Sequence, residues 1–186
     1  MKKLPLAVLL TTAMAGSVAF AANHTASVGY AQSKVQDFDD IRGVNLQYRY
    51  ESGAPLSLLT SFTYMKGKGK QHYMLSGDTV NNHINIKYYS LQAGPAYRIN
   101  DNFSLYALGG VAHTKATGKT HWINVDSDAV HYEGISEKST SFVYGFGMLL
   151  NPLDNLSVNV GYESTQAKLA GNRDINGFNV GVGYRF

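Results

Sequence analysis

The ten residues Gly177-Phe178-Asn179-Val180-Gly181-Val182-Gly183-Tyr184-Arg185-Phe186 decide the fold. Successive strand side chains point to opposite faces. Phe178, Val180, Val182, Tyr184 and Phe186 therefore share one face, and Asn179, Gly181, Gly183 and Arg185 share the other. An apolar ribbon running to the last residue is an aggregation hazard in water. It makes sense where the apolar face meets lipid and the strand is paired on both sides.

The same alternation recurs upstream. It is present in Ala26–Ala31, Val44–Glu51, Leu56–Tyr64, Tyr89–Arg98, Phe103–Val111, Ser141–Leu150 and Leu156–Glu163. Leu59 interrupts the third of these. With the terminal strand the count is eight, an even number, as in single-chain bacterial membrane barrels. The expected fold is an all-β, eight-stranded antiparallel up-and-down transmembrane β-barrel.

The chain start agrees with export. Met1-Lys2-Lys3 is basic, Leu4–Val18 is uncharged and mostly apolar or small, and Ala19-Phe20-Ala21 has a small-x-small cleavage pattern. Residues 1–21 read as a signal peptide cleaved between Ala21 and Ala22, leaving 22–186 as the barrel. The apolar run is short and small-residue-rich for a spanning helix, which needs about 20 apolar residues. Loss of Lys2 and Lys3 leaves 14 bases against 13 acids, so the high pI gives little support to a polyanion-binding role, and export argues against nucleic acid as a partner. The absence of cysteine excludes disulfides, thiol catalysis and cysteine metal sites.

The connections differ at the two ends. Glu51–Pro55, Ile99–Asn102 and Asn151–Asn155 are short and rich in turn-forming residues. The others span roughly Lys34–Asp40, Met65–His83, Lys115–Lys138 and Lys168–Asp174 and are polar. Outer-membrane barrels have this asymmetry, with short periplasmic turns and longer outside loops. A soluble eight-stranded barrel with an apolar interior is the rival. Tyrosines near strand ends (Tyr48, Tyr50, Tyr64, Tyr97, Tyr162, Tyr184) favour the membrane, where such rings form an interfacial girdle.

The opposite face is small and polar and carries Arg49, Glu51, Arg98, Glu163 and Arg185. Buried charges are costly unless paired, so these five are expected to form one internal Arg–Glu network. An eight-stranded interior is filled by side chains, which favours a structural plug over an ion path and disfavours a porin.

The segments Val28–Lys34, Val44–Glu51, Gly94–Asp101, Asn151-Pro152-Leu153 and Val180–Phe186 resemble the Ail/Lom/OmpX family of outer-membrane proteins, and the resemblance covers essentially the whole mature chain. It implies a barrel in the outer membrane of a Gram-negative bacterium. It also implies a non-enzymatic, virulence-associated role at the host interface: adhesion or invasion, complement resistance, or survival in phagocytes. The implied partners are host matrix, cell-surface or complement proteins. The loops after strands three and five depart most from the family.

In those loops, Lys66, Lys68 and Lys70 alternate with glycines, followed by His72 and Tyr73. This stripe could hold lipopolysaccharide phosphates or a sulfated polysaccharide by charge attraction; its bland alternative is a solvated loop. Lys119, His121, Trp122 and Tyr132 of the next loop are candidate protein anchors, or else continue the strands above the membrane. The acidic first loop (Asp37, Asp39, Asp40) is expected to pair with the basic stripe. His121, Asp126, Asp128, His131 and Glu133 match no metal-loop spacing, so no metal or cofactor is expected. His113 with Ser139 and Thr140 is the strongest enzyme candidate, but no nucleophile motif surrounds either hydroxyl. A monomeric surface-binding barrel is the leading expectation. A purely structural envelope barrel is the alternative, and a lipid-modifying enzyme a minor one.

Overall fold

The computed structural model describes residues 22–36, 38–75, 78–123, 130–169 and 171–186; the side chains of 70–82, 119–133 and 135 lie outside the described set. The strands are β1 (Asn23–Val35), β2 (Ile41–Glu51), β3 (Leu56–Leu75), β4 (Asp78–Asn100), β5 (Phe103–Ile123), β6 (Val130–Leu153), β7 (Leu156–Lys168) and β8 (Asn172–Arg185). Each is antiparallel to the next, and β1 closes on β8 to complete the barrel. Thr25 faces Arg185, Val28 faces Val182 and Val35 faces Ile175. His24 and Phe186 exchange backbone N–H···O bonds at 2.8 Å in each direction, so the chain end is tied down.

The apolar faces point outward. Leu91 is 59% exposed and Phe142 68%, whereas the inward Asn45 is 1% exposed. This orientation separates the membrane barrel from its soluble rival. Water would penalise such a surface, and lipid does not.

β3 to β6 are 20, 23, 21 and 24 residues long, against 11 to 14 for the other four. A tilted membrane strand needs about 9–11 residues. The excess rises beyond the membrane as a four-stranded fin. The expected loops 65–83 and 115–138 are therefore mostly strand. β3 and β4 stay paired from Leu56↔Tyr97 to Leu75↔Asp78, and β5 and β6 from Phe103↔Leu150 to Ile123↔Val130. These polar segments satisfy their backbone groups on each other and so need no apolar core to stay extended. At the opposite end the turns are tight, and Gly53 has φ +87°, a conformation that favours glycine.

The interior is layered, not uniformly polar. Nearest the short turns lie Arg49, Glu51, Ser57, Ser104 and Asn151. Two residues further in on their strands come Leu59, Tyr106 and Leu149, packed with Ala96 and Leu108. Leu59 breaks the outward pattern because it belongs to this inner apolar layer. The Tyr106 hydroxyl fits against Gly147 and Gly161, where a Cβ at either position would meet it. A polar middle follows, with Asn45, Gln47, Ser61, Thr63, Gln92, Asn159 and Asn179. Ile41, Met65, Ile86, Tyr88, Val143 and Ile175 cap it toward the fin, with Phe38 against them.

Candidate functional site

The membrane's outer boundary is marked by register. Tyr64 faces Tyr89, with ring centroids 4.9 Å apart, and Tyr89 faces His113. Two residues higher, Arg42 faces Lys66, Lys66 faces Lys87, Lys87 faces Lys115 and Lys115 faces Lys138. Five cations on five neighbouring strands thus form one transverse row. At about 4.8 Å per strand they span about 19 Å, and the row lies about 7 Å along the strands above the tyrosines. Arg42, Lys66, Lys87 and Lys138 are exposed and Lys115 is half-buried.

Like charges directly opposite one another destabilise a sheet. The row is therefore poorly explained by stability and well suited to an external polyanion. Among the described residues its carboxylate partner is Asp40, 3.9 Å from Arg42, with both side chains exposed. Asp40 of the acidic loop thus pairs with Arg42, whereas Asp37 and the Lys70 side chain of the expected pairing lie outside the described residues. A groove of about 570 Å³ lined by Lys66, Gly67, Lys68, Asn85, Ile86, Lys87 and Thr117 lies at the base of the fin.

Of the residues expected to bind, Lys66 and Lys68 are exposed here. Higher on the fin, Lys70 faces His83, which faces Lys119; His72 faces Asn81, which faces His121, which faces Tyr132. Trp122 pairs with Val80 and His131. The side chains of Lys70, His72, Lys119, His121, Trp122 and Tyr132 lie outside the described residues, as does Ala21 of the expected cleavage site. Sequence reasoning missed Arg42, Lys87, Lys115 and Lys138 as members of the site. A signal existed: Lys87 and Lys115 are equidistant from Asp101 in the predicted turn, so a regular hairpin must bring them opposite each other.

The inner charges divide in two. Glu51, fully buried, lies 2.5 Å from Arg98, 3.2 Å from Arg185 and 3.4 Å from Arg49. Arg49 also donates from Nε to Ser57 Oγ at 2.8 Å and from Nη2 to Ser104 Oγ at 3.1 Å. Glu163 is not in this network. Its Oε2 accepts from Thr63 at 3.0 Å, Ser90 at 3.3 Å and Gln92 at 2.8 Å, with no arginine in reach among the described residues. Thr63 is bonded to Asn45, six residues up β2 from Glu51, or about 20 Å along the strand. The expected single network fails on this distance.

The enzyme candidate gains half a constellation. His113 Nδ1 and Thr140 Oγ1 are 3.0 Å apart on the outer face. Ser139 points inward, where its Oγ accepts from the Lys168 N–H at 2.9 Å. No described carboxylate hydrogen-bonds His113 to orient it as a base. Of the candidate metal ligands, Asp126 and Asp128 lie outside the described residues, as do the side chains of His121, His131 and Glu133.

The family model for the enterobacterial Ail/Lom protein matches residues 1–186. The chain belongs to the Ail/Lom family. It is 47% identical to the virulence membrane protein PagC of Salmonella typhimurium, over 96% of this chain and 95% of that one. It is 36% identical to outer membrane protein X of Escherichia coli K12, covering 94% and 92%. Among solved structures it resembles Ail, the attachment invasion locus protein of Yersinia pestis, at 30% identity and a TM-score of 0.67, covering 89% of this chain and 99% of Ail. Ail has also been solved with the heparin analogue sucrose octasulfate, and that structure matches at 32% identity and a TM-score of 0.65 with the same coverage. This Ail/Lom chain is thus an outer-membrane β-barrel with virulence-protein relatives.

Proposed function

We propose that this barrel is a non-enzymatic surface protein that binds polyanions on the cation row at the base of its fin. The observation that carries the reading is the alignment of Arg42, Lys66, Lys87, Lys115 and Lys138 just above Tyr64 and Tyr89. Because barrel strands tilt about 35–45°, the row climbs obliquely, so its lower cations face the phosphates of lipopolysaccharide and its upper ones sulfated polysaccharide of the host matrix. Both ligands offer closely spaced oxyanions. The relative solved with a sulfated heparin analogue supports the second source, and the names of the virulence and attachment relatives support a role at the host surface.

On this reading, adhesion begins with charge attraction, and the fin then presents its side chains to host cell-surface or complement proteins. The test is a cell strain displaying the barrel, with Lys66, Lys87, Lys115 and Lys138 changed to Gln in the comparison strain. Wild-type cells should adhere to immobilised heparin and the variant should not, at equal surface expression. Equal adhesion would remove the row as the carrier. Purified barrel titrated with lipopolysaccharide instead of heparin separates the two sources.

A further inference from the structure

We infer that the periplasmic mouth of the barrel holds a divalent oxyanion, of the hydrogen phosphate or sulfate kind, on the guanidiniums of Arg98 and Arg185. This site lies at the opposite end from the lysine row and does not depend on it.

The charge balance is the first argument. Arg49, Arg98 and Arg185 surround one carboxylate, Glu51, which leaves two positive charges over. No second carboxylate lies within ion-pair distance of these guanidiniums among the described residues. Arg49 is already occupied, bonding Ser57 and Ser104 and lying almost fully buried. Arg98 and Arg185 keep 24% and 17% of their side-chain surface, so the uncompensated charge is the part that solvent can reach.

The surroundings make that excess costly. Leu59, Tyr106 and Leu149 lie two residues deeper than Ser57, Ser104 and Asn151, and form an apolar floor beneath the cluster. Low-dielectric walls around charges of one sign focus their field toward the open side. Excess charge in such a setting is expensive unless it finds a counter-ion.

A missing partner is the second argument. The Arg185 Nε is buried and has no hydrogen-bond acceptor, although Glu51 Oε2 is 3.2 Å away and itself accepts no bond. The pair is close but misaligned, so Glu51 holds this side of Arg185 by charge and not by a hydrogen bond. Buried donors of this kind are rare without an ion or water to satisfy them. A guanidinium presents a planar fork that matches two oxygens of one phosphate or sulfate. Water could occupy the Nε but would leave both charges. Chloride offers no second atom for the fork, and a monovalent carboxylate would leave one charge. A dianion with several oxygens meets both requirements.

The test uses the purified barrel in zwitterionic detergent, with thermal unfolding read by the heat-dependent gel shift. Low-millimolar phosphate is compared with chloride at matched ionic strength. The outer lysines also attract phosphate, so the series is repeated with Lys66, Lys87, Lys115 and Lys138 changed to Gln. In both backgrounds Tm should rise saturably with phosphate, and most of the rise should vanish in Arg98→Gln and in Arg185→Gln. Glu51→Gln should make Tm more dependent on phosphate, since the anion then faces three unopposed guanidiniums. Line broadening of the phosphate ³¹P resonance by the wild-type barrel, reversed by sulfate, gives a reading that needs no variant to fold. No saturable response in the wild type, or an equal response in Arg98→Gln and Arg185→Gln, would overturn the proposal.

Discussion

The molecule holds two groups of cations, and they are built in opposite ways. At the periplasmic end, three arginines converge on the single carboxylate of Glu51 inside the barrel. At the outer boundary, four lysines and Arg42 stand side by side across five strands on the exterior, with Asp40 as the counter-charge among the described residues. Inside, planar guanidiniums share hydrogen bonds in fixed geometry. Outside, flexible ammonium groups repel one another and wait for a partner. The inner cations are thus held on a shared carboxylate and, on our inference, one bound anion, whereas the outer row lies open to the external polyanion proposed for it. The contrast assigns different consequences to neutralising each group.

The largest expected effect comes from removing the inner carboxylate. Glu51→Ala leaves three arginines without their anion, and breaking a buried pair in this way costs about 3–5 kcal/mol. The midpoint of urea unfolding in detergent should fall accordingly, whereas a small shift would mean that water already screens the cluster. Next comes the apolar floor on which it rests. Leu59→Ala opens a cavity and should cost about 2–5 kcal/mol. Leu91→Ala, on the lipid face, should cost clearly less, because detergent or lipid fills the vacated space. Equal losses at the two leucines would contradict the assignment of inside and outside.

The tyrosine row sharpens the contrast at a smaller scale. Tyr64 and Tyr89 should show a coupling of about 0.5–1.5 kcal/mol in a double-mutant cycle to Leu. The smallest stability effect should come from the lysine row itself. Changing Lys66, Lys87, Lys115 and Lys138 to Gln should alter unfolding by about 0.5 kcal/mol or less per site, and relief of repulsion could make the sign favourable. Lysines that proved strongly stabilising would be structural, and the comparison with the arginine cluster would collapse.

The two groups also differ in how readable they are from sequence. The outer apolar face is a period-two pattern, and the terminal strand from Phe178 to Phe186 displays it without a break. Membrane lipid rewards that pattern directly, so strand existence and orientation follow from it. The fin was less legible because β3 there alternates lysine with glycine from Lys66 to Lys70, and its partner strands carry only short apolar alternations such as Ile84, Ile86 and Tyr88. Its pairing satisfies backbone groups, a requirement that every sequence shares. The cation row needs the exact hairpin register, which turn positions fix and composition does not.

The interior shows the same limit. Arg49, Glu51, Arg98 and Arg185 were recognisable as inward by parity, and they do converge. Glu163 has the same parity, but parity carries no height. Its place on β7 sets it beside Thr63 and Gln92 in the polar middle. Leu59 looks like an interruption for the related reason that an inner apolar layer leaves only scattered marks, one or two residues per strand.

The central claim is that the lysine row is an oxyanion-binding surface at the membrane boundary. The most direct test is the affinity of the purified barrel for lipopolysaccharide, measured against sodium chloride concentration, in the wild type and in the chain with Lys66, Lys87, Lys115 and Lys138 changed to Gln. Exposed charge contacts weaken as salt screens them. With each contact worth a few tenths of a kcal/mol to about 1 kcal/mol, the variant should bind about tenfold or more weakly at low salt, with a flatter salt dependence. The same affinity and the same slope in both proteins would contradict it.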